Sequence, residues 1–409
     1  AAIAPEREGK TWRALRARRG IRDRYTAWGR SARDPDRPLL WMHAPSVGEG
    51  LQARPVLEIL RDRHPDWQFA YTFFSPSAEQ FARSLGADFT DYLPFDTMGD
   101  VRVTLDALRP QAIVFSKLDV WPALVREANG RGVRLALISA TLAAGSSRRG
   151  RLASALLRDA YSRLDAVGAI DPDDAERLAG LGARRAVITV SGDTRYDQVW
   201  ARAQAVRTDD PRFASLRGAR PTLVAGSTWD ADDAVLLPAW EEVHRSFPDA
   251  RLIIAPHEPR AVELGRIASW AARAGLSCVP LGAAPDSAAD VVLVDRVGVL
   301  GELYALADVA YVGGGFHAAG LHSVLEPAAF GAPVLVGPRH HDSRDAMLLL
   351  RSGGARAVSD TSDTAAALDE WFARETARRG AGEQARRLVH NGLGAAQRSA
   401  ALVEALFDA

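Results

Sequence analysis

From residue 39 onward, short apolar runs alternate with longer stretches of helical period, and this alternation restricts the fold more than any single residue does. Strands buried on both faces read as near-continuous apolar runs, and a helix between two such runs returns the chain for parallel pairing. Residues 39–43, 67–72, 112–116, 134–139, 166–169 and 186–190 form one series of candidate strands, and 222–226, 251–255, 291–294, 309–313, 333–336 and 355–358 form a second. Helical patterns over 51–63 and 122–129 fill two of the gaps, and helices over 365–378 and 383–409 close the chain. The expected fold is α/β, with two Rossmann-like parallel-sheet domains. The polar stretch 202–220, rich in Arg and Asp and carrying Pro211, separates the two series. The predicted organisation is a basic segment over 1–37, a first domain over 38–203, a connection over 204–220, a second domain over 221–394 and a C-terminal helix over 395–409. Open parallel sheets bind ligands at the carboxyl ends of their strands. The chemistry is therefore expected where those ends face a central cleft.

Composition narrows the function. The 409 residues suit two or three domains at roughly 100 to 200 residues each. A single cysteine, Cys278, permits no internal disulfide and no thiolate zinc cluster, which points to a reducing compartment and away from a structural metal. Lys+Arg and Asp+Glu both number 51, so the net charge is zero, unlike that of a general nucleic-acid binder. Residues 1–37 depart from that balance, with ten Arg and Lys10 against five acids. Such a segment is either a solvated basic tail or a surface for anionic lipid, where Trp12, Tyr25 and Trp28 would suit the interface. No apolar run approaches the ~18 residues of a membrane helix. The chain starts with Ala, which leaves room for an upstream signal or anchor.

Three strand-to-helix loops carry candidate chemistry. After 39–43 comes Ala44-Pro45-Ser46-Val47-Gly48-Glu49-Gly50, with the helix expected from residue 51. The glycines would let the chain turn and hold Glu49 at the helix entrance, where a carboxylate either accepts a proton from a hydroxyl nucleophile or serves the helix N-terminus. After 112–116 comes Lys117-Leu118-Asp119-Val120-Trp121-Pro122, in which extended geometry would point Lys117 and Asp119 to one side as an ion pair. Only Lys10 and Lys117 are lysines, so the chain spends a point-like ammonium here where it otherwise uses arginine. After 309–312 comes Gly313-Gly314-Gly315-Phe316-His317-Ala318-Ala319-Gly320-Leu321-His322-Ser323 and a helix over 324–330. That loop reads either as a tight turn or as a phosphate cradle ending at a helix N-terminus, with Glu326 placed to accept from a ribose diol. Turns at Ser227-Thr228-Trp229, His257-Glu258 and Gly192-Asp193-Thr194 could support the same region or simply cap helices. His317, His322, His340 and His341 lack metal-ligand spacing and read as polar or anion-binding groups.

Together these segments resemble the 3-deoxy-D-manno-octulosonic acid (Kdo) transferases, inverting glycosyltransferases of GT-B architecture. The resemblance rests on His43-Ala-Pro-Ser-Val-Gly-Glu49, Leu93-Pro-Phe-Asp96, Asp119-Val-Trp-Pro122, Ser191-Gly-Asp-Thr-Arg-Tyr-Asp197, Ser227-Thr228 with Asp232-Asp233, and Gly313-Gly-Gly315 through His322-Ser-Val-Leu-Glu-Pro327 to Pro333-Val-Leu-Val-Gly-Pro338. It implies transfer of Kdo from CMP-Kdo to a lipid A precursor, without a metal or other cofactor, at the cytoplasmic face of the bacterial inner membrane, to which the chain would attach peripherally or through a segment absent from it. By this resemblance Glu49 is the base, assisted by Lys117 and Asp119, with Ser46, Gly48 and Gly50 on the acceptor side. Ser227, Thr228, His257, Gly314, Gly315, His322, Ser323 and Glu326 would bind the donor. The chain departs from the family where many members read Glu-x-Glu before Trp-Pro and this one reads Lys117-Leu118-Asp119. It departs again where Pro-Arg-His becomes Pro256-His257-Glu258 and where Gly-His-Asn-Pro-Leu-Glu becomes Leu321-His322-Ser323-Val324-Leu325-Glu326. A nucleotide-sugar epimerase of the same fold and a non-catalytic CMP-sugar or lipid binder are the competing readings.

Overall fold

The computed structural model describes residues 10–206, 213, 216, 220–283 and 288–408, so most of the expected 204–220 connection lies outside the described residues. Two compact units result: the chain up to Gln198 together with Leu393 onward, and Val199–Gly392.

The first unit holds β1 (Leu39–His43), β2 (Gln68–Phe73), β3 (Phe89–Tyr92), β4 (Ala112–Ser116), β5 (Arg134–Ala140), β6 (Ala166–Ala169) and β7 (Ile188–Val190), ordered β3-β2-β1-β4-β5-β6-β7 and parallel throughout. The second holds β8 (Thr222–Thr228), β9 (Arg251–Pro256), β10 (Cys278–Pro280), β11 (Val291–Leu293), β12 (Val309–Val312), β13 (Val334–Val336) and β14 (Ala355–Ala357), ordered β10-β11-β9-β8-β12-β13-β14. Strands β1, β4, β9, β12 and β13 are buried along their whole length, which is why they read as continuous apolar runs. In each sheet the order reverses beside the first strand, between β1 and β4 and between β8 and β12. A crevice opens at such switch points. The loops after these four strands are the segments singled out in the sequence, so topology brings the Glu49 and Lys117 loops together, and likewise the Ser227 and Gly313–Gly315 loops.

Both ends of the described chain pack within the first unit. The last helix, Ala395–Glu404, belongs to the first unit: Phe407 stacks on Trp67 at 3.9 Å, Glu404 meets His64 and Arg63 at 3.0 Å, and the Asp197 carboxylate accepts the amides of Gly394 and Ala396 at 2.7 and 2.9 Å. The basic start is in good part structural rather than a tail. Helix Ile21–Ser31 buries Ile21 and Tyr25, and Tyr25 donates to the Tyr92 carbonyl at 2.8 Å. Arg18 is buried, donates to the Leu93 carbonyl at 2.8 Å and stacks 4.1 Å from the centre of the Phe74 ring, while Arg33 donates to the Leu108 carbonyl at 2.7 Å. Of the three aromatics expected at a lipid interface, Tyr25 is buried and Trp28 half-buried; only Trp12 stands out, 69% exposed on helix Lys10–Ala17. Among the described residues no helix is long and apolar enough to cross a membrane.

Candidate functional site

The helix after β1 starts at Val47 rather than 51, so Gly48, Glu49 and Gly50 lie in its first turn instead of a flexible loop, and neither glycine has a positive φ. Gly50 is there because a Cβ would sit 2.4 Å from Phe81 and 2.8 Å from the Tyr71 hydroxyl. Gly48 is exposed, and its Cβ position meets nothing nearer than Ser46 Oγ at 3.8 Å, leaving the approach to the helix N-terminus open.

Glu49 is half-buried and gripped at both oxygens: Ser46 Oγ donates to Oε2, and Lys117 Nζ lies 3.1 Å from Oε1. Burial alone would raise its pKa; the Ser46 hydroxyl and the Lys117 ammonium outweigh that and hold the carboxyl below its usual value. The Ser116 hydroxyl donates to the Glu49 backbone carbonyl at 3.2 Å, tying the helix to the end of β4.

Lys117 and Asp119 do not pair with each other. Lys117 has φ 68°, left-handed backbone that ends the extended alternation on which their shared side depended. For a residue with a side chain that conformation costs about 1 kcal/mol or more, and such strain concentrates at functional sites. Asp119 faces the other way, with Oδ2 3.6 Å from His43 Nε2 and Oδ1 3.5 Å from Arg148. Burial pushes its pKa up, and His43 with Arg148 more than offsets this, leaving it lowered. His43, fully buried at the end of β1, contacts Thr72 Oγ1 through Nδ1 at 2.9 Å and accepts from Trp121 Nε1 at 3.2 Å. The sequence showed His43 only inside a motif and did not show Arg148; both act through contacts 29 or more residues apart.

The second unit uses its switch point differently. A Cβ on Gly313 would lie 2.3 Å from the Ser227 carbonyl oxygen, on Gly314 2.1 Å from that of Gly320, and on Gly315 2.4 Å from the Gly337 amide nitrogen. These glycines admit neighbouring protein backbone, which accounts for the lack of a side chain at Gly314 and Gly315 without a ligand. The loop amides do not all point outward. Asp232, fully buried, accepts the amides of Gly314 at 2.7 Å, Phe316 at 3.1 Å and Trp229 at 2.9 Å. The sequence placed Asp232 in a motif without revealing that role. Asp230, Asp232 and Asp233 crowd the first turn of helix Asp230–Ser246, which makes that N-terminus unsuited to an anion. Ser227 adopts φ 55° where the β8–β9 register slips.

The expected helix N-terminus after the glycine loop belongs to a helix of only six residues, Leu325–Phe330. Glu326, its second residue, pairs with Arg202 at 3.2 Å, and burial raises its pKa against that partner. Ser323 is exposed and Thr228 buried. What stands over this switch point is an aromatic stack: Trp229 lies 4.2 Å from His317 at an interplanar angle of 2° and 4.4 Å from His257, His257 lies 4.5 Å from His322, and Trp229 Nε1 donates to His322 Nε2 at 3.1 Å. Burial first, then His257, lowers the His322 pKa. The structure thus brings His257 and His322 together, adds Trp229 and His317, and leaves Glu326 on a separate ion pair. Away from this switch point, buried His340 lies 2.9 Å from the Gly337 carbonyl, and Asp193 and Thr194 are buried in contacts within the first unit. Among the described residues no group of three or more His, Cys, Asp or Glu is arranged to hold a metal ion.

Two parallel seven-stranded sheets with loops of this kind define a two-domain α/β protein of the type shared by nucleotide-sugar epimerases and glycosyltransferases. The chain superposes on UDP-GlcNAc 2-epimerase from Neisseria meningitidis with a TM-score of 0.65 at 15% identity, covering 91% of this chain and 100% of that one. It superposes on the glycotransferase of kitacinnamycin with a TM-score of 0.55 at 17% identity, again over 91% and 100%. At those identities the likeness shows the fold alone. Sequence decides the family. Residues 15–198 match the model of 3-deoxy-D-manno-octulosonic-acid transferase (kdotransferase). The 3-deoxy-D-manno-octulosonic acid transferase of Bordetella pertussis is 31% identical over 392 residues, 92% of this chain and 90% of that protein, and that of Haemophilus influenzae is 25% identical over 85% and 82%. The chain belongs to the Kdo transferase family and is an enzyme of the glycosyltransferase class.

Proposed function

We propose that this enzyme transfers Kdo from CMP-Kdo to a hydroxyl of a lipid A precursor by direct, inverting displacement, with Glu49 as the base. The observation that carries the reading is the half-buried Glu49 carboxylate, held ionised between Ser46 and Lys117 at the switch point of the first sheet. As the acceptor oxygen bonds to the anomeric carbon, the bond from that carbon to the CMP phosphate oxygen breaks, CMP leaves with the electron pair, and the hydroxyl proton passes to Glu49. The leaving group carries a single phosphate, which the imidazoles of His257, His317 and His322 suit as hydrogen-bond donors with no metal required. Asp119 and His43 position the Trp121 loop beside the base.

Glu49→Gln is expected to abolish transfer while CMP still raises the melting temperature, because a ligand that binds only the folded protein stabilises it. UDP should give no such rise; a rise with UDP and none with CMP would favour the epimerase reading. Helix Lys10–Ala17 offers exposed Trp12 and Leu15 beside exposed Arg13, Arg16 and Arg19, a composition suited to an anionic bilayer holding the lipid acceptor. Attachment at the cytoplasmic face of the inner membrane follows from that reading. Replacing Trp12 and Leu15 by Ser should reduce co-sedimentation with anionic liposomes, and unchanged binding would count against it.

A further inference from the structure

In the proposed reaction Lys117 holds Glu49 ionised, and its place in the site points to a second task. It is one of two lysines, with Lys10, in a chain whose other side-chain positive charges are arginine. Its backbone is left-handed, a conformation retained at a cost. Its ammonium lies 3.1 Å from Glu49, and the two side chains differ in freedom: Lys117 is 42% exposed and Glu49 18%. The lysine can therefore swing toward solvent on its four-carbon stem, and the glutamate, on the first turn of a packed helix, cannot. An ammonium at that distance suits a carboxylate that must stay ionised but opposes one that must take up a proton, since it stabilises the charged form.

We propose that Lys117 is a positioning residue that exchanges Glu49 for an anionic substituent of the substrate, a carboxylate or phosphate ester, and so frees Glu49 to accept the acceptor's proton. The inference rests on Glu49 being the base. The groups that face Glu49 are few: Ser46 and the Glu49 backbone amide at the start of its own helix, Lys117 from the loop after β4, and the buried Tyr71 hydroxyl of β2, whose pKa burial and Glu49 together raise. Beyond them stand Asp119, His43 and Arg148, which are engaged with one another. Of these partners only Lys117 is both charged opposite to Glu49 and placed to leave it. Arginine would serve less well at this position, because its fork binds a carboxylate through two parallel hydrogen bonds and holds it.

The test is a 13C NMR titration of the Glu49 carboxyl in the full chain, assigned by its loss in Glu49→Gln. Lys117→Met should raise the midpoint by roughly one unit or more, and Lys117→Arg should leave it low. In the wild-type protein, CMP-Kdo alone or the phosphorylated lipid A precursor alone should raise the midpoint, and the arm that does so identifies the source of the anion. Kinetics gives a second readout: the acid limb of kcat should lie at higher pH than that of kcat/KM in the wild type, and Lys117→Met should bring the two together with a KM raised about tenfold. A midpoint unmoved by Lys117→Met in a protein of unchanged melting temperature, or by either substrate in the wild type, overturns the proposal. Turnover retained by Glu49→Gln would instead overturn the assignment of the base, leaving the carboxyl titration to judge the exchange on its own.

Discussion

The two switch points are built from the same topology and use it in opposite ways. In the first unit the loops after β1 and β4 present charged side chains with partners close by: Glu49 with Lys117, and Asp119 with Arg148 beside the His43 ring. In the second the loops after β8 and β12 turn their most conspicuous polar group inward, where buried Asp232 collects three backbone amides, and they offer aromatic and imidazole faces instead. The contrast teaches how to read a glycine-rich loop. Glycine signals that something comes close; at Gly313–Gly315 that something is protein backbone, and the residues that can meet a ligand are the neighbouring Trp229, His257, His317 and His322.

The comparison can be broken most directly by adding methyl groups. Gly314→Ala forces a side chain onto a φ of +90° and against the Gly320 carbonyl, and should destabilise the second unit by about 3 to 5 kcal/mol, read as an early thermal transition. If that variant melts like the wild type, the loop is an open cradle after all. Asp232→Ala leaves three amides without their acceptor inside the same unit and should cost about 2 to 4 kcal/mol, measured by denaturant unfolding. Gly48→Ala in the first unit meets only Ser46 Oγ, at an ordinary contact distance of 3.8 Å, and needs no positive φ, so its effect on stability should stay within about 0.5 kcal/mol while any effect on turnover reports crowding of the acceptor.

Acid sharpens the contrast with less force. Glu49 and Asp119 both have lowered pKa values in the folded protein, so the stability they contribute is present above the ordinary carboxylate value of about 4 and is lost as pH falls through their lowered values. Asp233 in the second unit is raised by burial, against Arg266. A raised carboxyl works against folding above its ordinary value, so on acidification it opposes, rather than adds to, the loss in the first unit. Melting followed from pH 6 to pH 3 should therefore show a steeper decline in the first unit, flattened by Asp119→Asn; equal slopes would count against the assignment. The smallest effect expected is none: a chelator should leave turnover unchanged, and its loss with EDTA and return with a divalent ion would reveal a metal requirement.

Ten of the twelve strands that were legible are central parallel strands, which read as apolar runs because both their faces are covered; the other two, Ile188–Val190 and Ala355–Ala357, lie at sheet edges. The two that were not legible, Phe89–Tyr92 and Cys278–Pro280, are short edge strands carrying polar residues or proline. Gly48 and Gly50 suggested a turn where a helix begins, because a local reading cannot see Phe81 and Tyr71 closing on Gly50. Glu49 and Lys117 both stood out in the sequence; their contact did not. The Lys117 contact depends on β4 lying beside β1, a fact of strand order, and on a left-handed φ that no periodicity signals. The basic excess of the first 37 residues was visible, but composition could not tell which arginines are spent on backbone carbonyls, as Arg18 and Arg33 are.

The central claim is that Glu49 serves as the base in Kdo transfer. Wild-type protein and Glu49→Gln, each incubated with CMP-Kdo and a tetra-acylated lipid A precursor and scored by product mass, test it most directly. The wild type should yield a precursor heavier by one or more Kdo units and the variant none, a loss of at least about a hundredfold, while both bind CMP. Product formed by the variant at a rate near that of the wild type, or none formed by the wild type, would contradict the account.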